Sequence, residues 1–393
     1  MKTWLEYTLE ELLSYEQPTP YIVESADYDD SYGTPVLTAG KTFIIGYTNE
    51  TDGIYNKLPV IIFDDFTTAT QYVNFPFKVK SSAMKILTAN SDLVLPKFIF
   101  YRMQLIEFDH STHKRYWIQQ YSKIRVKIPS LSEQKRIVAR IEELFSELDN
   151  GVETLKKTKQ QLAVYRQAVL KAAFEGRLTR TYRETKGFEK WEMVPITAVI
   201  AKNKNALKAG PFGSALKKDC YVPSGYKVYG QEQVIAGDET IGNYYINKKK
   251  YEELSSCAVA PEDVLISLVG TVGKVLVLSD ACLPGIINPR LIKVTLDATK
   301  MLPLFFKYYF ESAYLKSLYK EKAHGATMDV LNMGMIKELP FPFCNVKEQR
   351  QVIAEIESRL SVCDSIEKTV DAALQQAESM RQSILKKAFE GKL

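Results

Sequence analysis

Few groupings in this chain have the residue types for chemistry, and spacing disqualifies most of them. GTVGK (270–274) has the glycines and lysine of a phosphate loop. It lacks the G-x-x-x-x-G-K-[ST] spacing that wraps amides around phosphates and puts a hydroxyl on Mg²⁺. Asp64-Asp65 in FDDFTT could be a metal pair, but strand neighbours point to opposite faces and no third carboxylate lies at useful spacing, so a strand-end cap or polar contact is the reading. His110, His113 and His324 do not pair with cysteine at ligand spacing, and no G-x-S-x-G elbow is present. Cys220, Cys257, Cys282, Cys344 and Cys363 are odd in number, scattered and without a C-x-x-C pair, which argues for buried free thiols and against a disulfide framework or zinc site. No catalytic residue, metal or cofactor is expected on the chain itself.

Asn288-Pro289-Arg290 lacks the second proline and the aromatic of the Asn-Pro-Pro-aromatic motif of amino-group DNA methyltransferases, and no glycine-rich strand-turn for S-adenosylmethionine precedes it. What the sequence does offer is basic and amide side chains interleaved with aromatics. HSTHKRYWIQQYSK (110–123) carries His110, His113, Lys114 and Arg115 beside Tyr116 and Trp117, followed by Gln119 and Gln120; HGATMDVLNMG (324–334), with His324, occupies the equivalent place later. Such side chains contact phosphates or read base edges, so these loops suit a surface facing double-stranded DNA, or else a solvated loop over buried aromatics. Further candidates are Lys41, Lys78 and Lys80 in the first half and Lys217, Lys218, Lys248, Lys249, Lys274 and Arg290 in the second.

The elements that must position these residues emerge when the chain is compared with itself. EQKRIVARIEELFSELDNGVETLKKTKQQLAVYRQAVLKAAFEGRL (133–178) aligns without a gap on EQRQVIAEIESRLSVCDSIEKTVDAALQQAESMRQSILKKAFEGKL (348–393), a displacement of 215 positions from Glu133 to Glu348. Ile137, Ile141, Leu144, Leu148, Val152, Leu155, Leu162 and Val169 recur at helical steps, as do Val352, Ile356, Cys363, Ile366, Val370 and Ile384. Ser130, Ser132 or Asn345 stands ready to cap each start, and Gly176 or Gly391 each end. At 1.5 Å per residue, about 44 residues make a helix of roughly 66 Å, too long for an ordinary core helix, so the two are expected to pair along these apolar stripes. Asn150-Gly151 could break the first copy, but the equivalent Ser365-Ile366 carries no breaker, which favours one long helix.

The remaining blocks each have domain size, and each opens on a tryptophan, Trp4 or Trp191. LPVIIFDDFTT matches VAPEDVLISLVGTVGKV in outline, SSAMKILTA matches INPRLIKVTL, and LPKFIFYRMQL and LPLFFKYYFESAYLKSLY read as aromatic helices starting at proline. The expected fold class is α+β: two globular α/β domains separated by two long antiparallel helices forming a coiled coil, in a pseudo-twofold, circular internal repeat. The expected boundaries are 1–130, 131–178, 179–345 and 346–393. Composition agrees, with 46% hydrophobic and 25% charged residues over 393 positions and a net charge of +5 that permits a polyanion without demanding one. The longest apolar runs fall well short of the ~18–20 residues that cross a bilayer, and the glutamate-bearing N-terminus is unlike a secretory leader, so a cytoplasmic protein with no membrane partner is expected.

The duplicated IP-x-L-x-EQ-x-x-I opening, here KIPSLSEQKRI and PFPFCNVKEQRQVI, the duplicated LK-x-AFEG-[RK]-L ending, and VLISLVGTVGKV followed by GIINPRLIKV resemble the specificity subunit of type I restriction-modification systems over essentially the whole chain. The resemblance implies two target-recognition domains, each reading half of a bipartite DNA site, and helices that hold two modification subunits, which bind S-adenosylmethionine and methylate adenine. Restriction subunits would join to cut DNA. It carries over no DNA-reading residues, because these domains diverge with their targets. On the residues alone, a DNA-independent coiled-coil scaffold or a fused single-chain enzyme are the alternatives, the latter lacking cofactor and nuclease motifs.

Overall fold

The computed structural model describes residues 4–40, 42–109, 115–269, 271–322 and 331–393. Packing divides them into two compact units, residues 1–156 with 371–393, and residues 157–370. The division falls inside two 44-residue helices, Leu131–Phe174 and Val346–Phe389, because the ends of both helices are built into globular cores.

Local chemistry sets the helix ends. The Asn345 side chain accepts the Lys347 N–H at 2.9 Å. At the start of the first long helix Ser130 takes part through its carbonyl, which accepts the Gln134 N–H at 2.9 Å, while its hydroxyl lies 3.0 Å from that of Ser132. At the far ends Gly176 and Gly391 adopt φ of +68° and +72°, and the next residue reaches back five positions, Arg177 to Ala172 at 3.0 Å and Lys392 to Lys387 at 2.8 Å. That left-handed closure is open to glycine at little cost. Asn150-Gly151 does not interrupt its helix.

The first unit contains β1 (Leu5–Thr8), β2 (Leu13–Glu16), β3 (Thr34–Leu37), β4 (Ile44–Thr48), β5 (Val60–Asp64), β6 (Thr70–Val73), β7 (Lys78–Val79), β8 (Met84–Ala89) and β9 (Arg125–Ile128). β1 pairs antiparallel with β9, β2-β8-β5-β6 form an antiparallel sheet, and β4-β3-β7 a mixed one in which β3 and β7 run parallel. The second unit contains β10 (Glu192–Pro195), β11 (Leu207–Ala209), β12 (Tyr221–Val222), β13 (Tyr226–Tyr229), β14 (Tyr245–Ile246), β15 (Val264–Ser267), β16 (Val275–Val277), β17 (Gly285–Ile287), β18 (Leu291–Val294) and β19 (Pro340–Phe343). It repeats the plan: β10 with β19, β11-β18-β15-β16 antiparallel, and β12-β14-β13-β17 with β13 and β17 parallel. β5 and β15, and β8 and β18, take equivalent places, as their sequence outlines suggest.

The duplicated glutamine of each EQ pair fixes helix to globe. Gln134 Oε1 accepts the Leu95 N–H at 2.8 Å, while its Nε2 donates to the carbonyls of Leu93 and Pro129, both at 2.9 Å. In the second unit Gln349 Oε1 accepts the Leu302 N–H at 2.9 Å, and Nε2 donates to Lys300 at 2.7 Å and Cys344 at 3.0 Å. Both side chains are fully buried. Each glutamine thereby satisfies the orphan N–H just ahead of a proline-started aromatic helix, Pro96–Met103 or Pro303–Phe310. A second repeated contact is aromatic. Phe98 packs edge-on against Trp4 and Phe389, and Phe305 against Trp191 and Phe174.

The preceding glutamates differ. Glu348 is buried, accepting from Thr179 Oγ1 at 2.7 Å and Arg183 Nε at 2.9 Å, whereas Glu133 pairs with Arg136 one turn along its own helix. Repeated ion pairs set antiparallel register within each unit. Arg166 meets Asp364 at 2.7 Å in the second and Arg381 meets Asp149 in the first, both residues displaced by the repeat length, and Arg166 adds Glu367 at 2.8 Å, where the first copy has Val152.

The apolar stripes serve two purposes. Ile137 and Ile141, and Val352 and Ile356, are buried in the globular cores. Val169 joins the second of these cores, and Leu162, Cys363 and Val370 are buried between the globular ends, while Leu144, Leu148, Leu155 and Ile384 are half-buried. Ile366 departs from the expected stripe and is 40% exposed. Where a helix has only one neighbour it covers a narrow seam, here Cys363 and Val370 a heptad apart, and Ile366 falls on its rim. Near the C-terminus Leu385 is buried more deeply than Ile384, as expected when 3.6 residues per turn drift against a seven-residue repeat.

Candidate nucleic-acid interface

In an antiparallel sheet the end of one strand lies beside the start of its neighbours, so a corner forms where β5 or β15 finishes. In the first unit that corner is centred on Asp65, which is buried and pairs with the equally buried Lys85 at 3.2 Å. Asp65 Oδ1 accepts the Trp117 N–H at 2.8 Å, and its carbonyl accepts the Tyr116 N–H at 2.9 Å. Asp64 instead caps the strand end, taking the N–H groups of Phe66 and Thr67 at 2.9 and 2.8 Å. The aspartates are a polar anchor and a cap. They carry exposed Arg115 to one side of the corner, and the Asp65 N–H bond to the Ala83 carbonyl brings the Lys80–Ala83 turn to the other.

Other candidates are placed differently. Lys78 is buried, its ammonium 2.6 Å from Glu50 and 2.6 Å from the Asp52 carbonyl, so it holds a loop and is unavailable to DNA. Hydrogen bonding to that ammonium holds the Glu50 carboxyl below its ordinary value. Tyr116, Trp117 and Tyr121 belong to the core, with Phe63 edge-on to Trp117, so the aromatics of the basic loop are not a stacking platform. Lys41, His110, His113, Lys114 and His324 lie outside the described residues.

The equivalent corner of the second unit gathers residues scattered in sequence. β15 ends at Ser267, paired with Leu291 at the start of β18, and the Ser267 N–H bonds the Lys274 carbonyl, so exposed Lys274 and Arg290 flank one strand end. Gln231 arrives from the end of β13. Its Nε2 donates to Ser267 Oγ at 3.0 Å and to the Val269 carbonyl, leaving Oε1 3.5 Å from the Arg290 guanidinium. Gly210 brings the chain against Asn288, where an added Cβ would sit 1.8 Å from a carbonyl oxygen, and two residues on Phe212 is 88% exposed. Lys217, Lys218, Lys248 and Lys249 are exposed along the same unit, and among the described residues no hydrogen bond or strand pairing draws them to this corner. Gln231 and Phe212 had no distinguishing spacing; the only sequence marks were glycines at 210 and 230 next to strand ends.

Among the described residues no cluster of His, Cys, Asp and Glu could hold a metal ion, and no helix is long and apolar enough to cross a membrane. All five cysteines are free; Cys257, Cys344 and Cys363 are buried, and burial pushes the Cys344 thiol well above its ordinary range.

A family model for the type I restriction modification DNA specificity domain matches residues 1–163 and 189–376. The EcoR124I/EcoR124II specificity subunit of Escherichia coli is 46% identical over 179 residues, covering 42% of this chain and 44% of that protein. The StySPI specificity subunit of Salmonella potsdam is 28% identical over 283 residues, 69% of this chain and 58% of that one. The chain thus spans about half the length of these curated relatives. Among solved structures, one from work on complex assembly and conformational transition of the type I R-M system superposes with a TM-score of 0.70 at 16% identity, covering 100% of this chain and 98% of that one. The HsdS subunit of Thermoanaerobacter tengcongensis gives 0.52 at 15%, covering 100% and 97%; at such identity these likenesses speak for the fold. Matched in both halves over most of its length, the chain belongs to the type I restriction modification DNA specificity domain family.

Proposed function

We propose that this chain is the sequence-reading subunit of a type I restriction-modification complex. Each unit reads one half of a bipartite double-stranded DNA site, the helices dock two modification subunits, and restriction subunits join the assembly. The chain itself chooses the site, and its partners carry the catalysis. One observation carries this reading: two units built on the same strands, glutamine contacts and aromatic triads end in equivalent corners that each expose a lysine and an arginine on unlike surroundings, the buried Asp65–Lys85 pair behind Arg115 in one, and Ser267 with Gln231 beside Arg290 in the other. A common frame with divergent polar tips suits two different half-sites. Partner docking is supported by the repeated helices, which leave apolar residues exposed at matching positions, Tyr165 at 45% and Met380 at 46%.

Exchanging residues 1–130 for the corresponding block of a relative is expected to alter one half of the methylated target and leave the other intact. Single-molecule sequencing of methylated adenines in a host carrying the chain and its modification partner reads this directly. A change in both halves would defeat the modular account. Lys80→Ala is expected to lower the slope of log affinity against log salt by about one if Lys80 meets a phosphate. Lys78→Ala should leave that slope unchanged and lower the melting temperature, since Glu50 loses its ammonium partner. Equal slopes for wild type and Lys80→Ala would remove Lys80 from the interface.

A further inference from the structure

We infer that Arg290 reads a guanine in the half-site of the second unit, and that Gln231 positions it. The inference rests on the DNA-reading function proposed above and names the base and the residues that recognise it. Guanine presents two acceptors, O6 and N7, to the major groove, and a guanidinium matches them with two parallel N–H bonds. Reading requires a guanidinium that is exposed, held in place and not already spent on a carboxylate.

Arg290 meets all three conditions. It is exposed, and no described carboxylate pairs with it. Its backbone N–H is fixed by Asn288 Oδ1 at 2.9 Å, and its carbonyl accepts the Leu268 N–H at 3.0 Å, so the chain on both sides is pinned. Gln231 is anchored through Nε2 to Ser267 and Val269, which fixes the amide orientation and turns Oε1 toward Arg290. That single acceptor can restrain the guanidinium while leaving its other N–H groups available. Lys274, exposed across the same strand end, carries a point charge better suited to the phosphate backbone.

The test uses the full chain and a pool of randomised duplex DNA, comparing enriched motifs for wild type, Arg290→Ala, Arg290→Lys and Gln231→Ala. The expected result is a guanine preference at one position in wild type that falls about 5- to 150-fold in Arg290→Ala. Arg290→Lys keeps the charge but also loses the preference, Gln231→Ala weakens it at the same position, and the other half of the motif is unchanged. Thermal melts matching wild type exclude unfolding. Unchanged motifs overturn the assignment, as does uniform weakening of all sequences with a salt slope lower by about one, the mark of a phosphate contact. A wild-type chain that enriches no motif overturns the DNA-reading function first, and the assignment with it.

Discussion

Replacing Gln134 by alanine is expected to destabilise the first unit by about 3–5 kcal/mol while the second unit melts as before. The side chain makes three hydrogen bonds from a fully buried position, and alanine leaves the Leu95 N–H and the carbonyls of Leu93 and Pro129 without that partner. A hydrogen bond nets only about 1 kcal/mol, but each buried group left unsatisfied costs about 1–3 kcal/mol, so the unmet groups dominate. For a unit of this size that lowers the transition by roughly 10 °C. Gln349→Ala should do the same to the second unit, through Leu302, Lys300 and Cys344. Differential scanning calorimetry of the two variants checks both. A wild-type melting profile from either would show that the glutamines are not what ties helix to globe. Because each lock serves one unit, loosening one should also erode discrimination in a single half-site.

The second large effect is expected at the buried pair beneath the first corner. Lys85→Met leaves the Asp65 carboxylate without its ammonium in a site where both side chains are 1% exposed, at a cost of about 3–5 kcal/mol. The double variant Lys85→Met/Asp65→Asn removes both charges and keeps an amide oxygen for the Trp117 N–H, so it should recover at least half of that loss. Urea denaturation of the single and double variants measures the difference. A double variant as unstable as the single one would mean that uncompensated charge is not the cause. Asp65 also tethers Tyr116, so the single variant should loosen Arg115 and weaken DNA binding on the first half-site only.

Part of this architecture is legible in the sequence because it depends on local periodicity and punctuation. The displaced 46-residue segments, their seven-residue apolar spacing, the caps at Asn345, Gly176 and Gly391 and the proline starts at Pro96 and Pro303 are short-range features, and each is visible without knowing what packs against it. The duplicated Glu-Gln pairs are visible too, yet sequence gives both residues equal weight. Only folding separates them, burying both glutamines and burying Glu348 against Arg183 while leaving Glu133 on its helix surface.

The candidate site lies beyond such reading. By itself the sequence determined that the chain is a twofold repeat of a long helix and an α/β block with basic loops, since repetition and periodicity are properties of order along the chain. Tertiary structure alone decided which basic residues are available. Lys78 and Lys80 differ by two positions, but one is sealed against Glu50 and the other is exposed at a strand end. Arg290 and Gln231 lie 59 positions apart and meet only because β13 runs parallel to β17 and β18 pairs with β15. Strand pairing is a long-range choice made by the burial of whole faces, and no local pattern records which loops it will bring to the same corner.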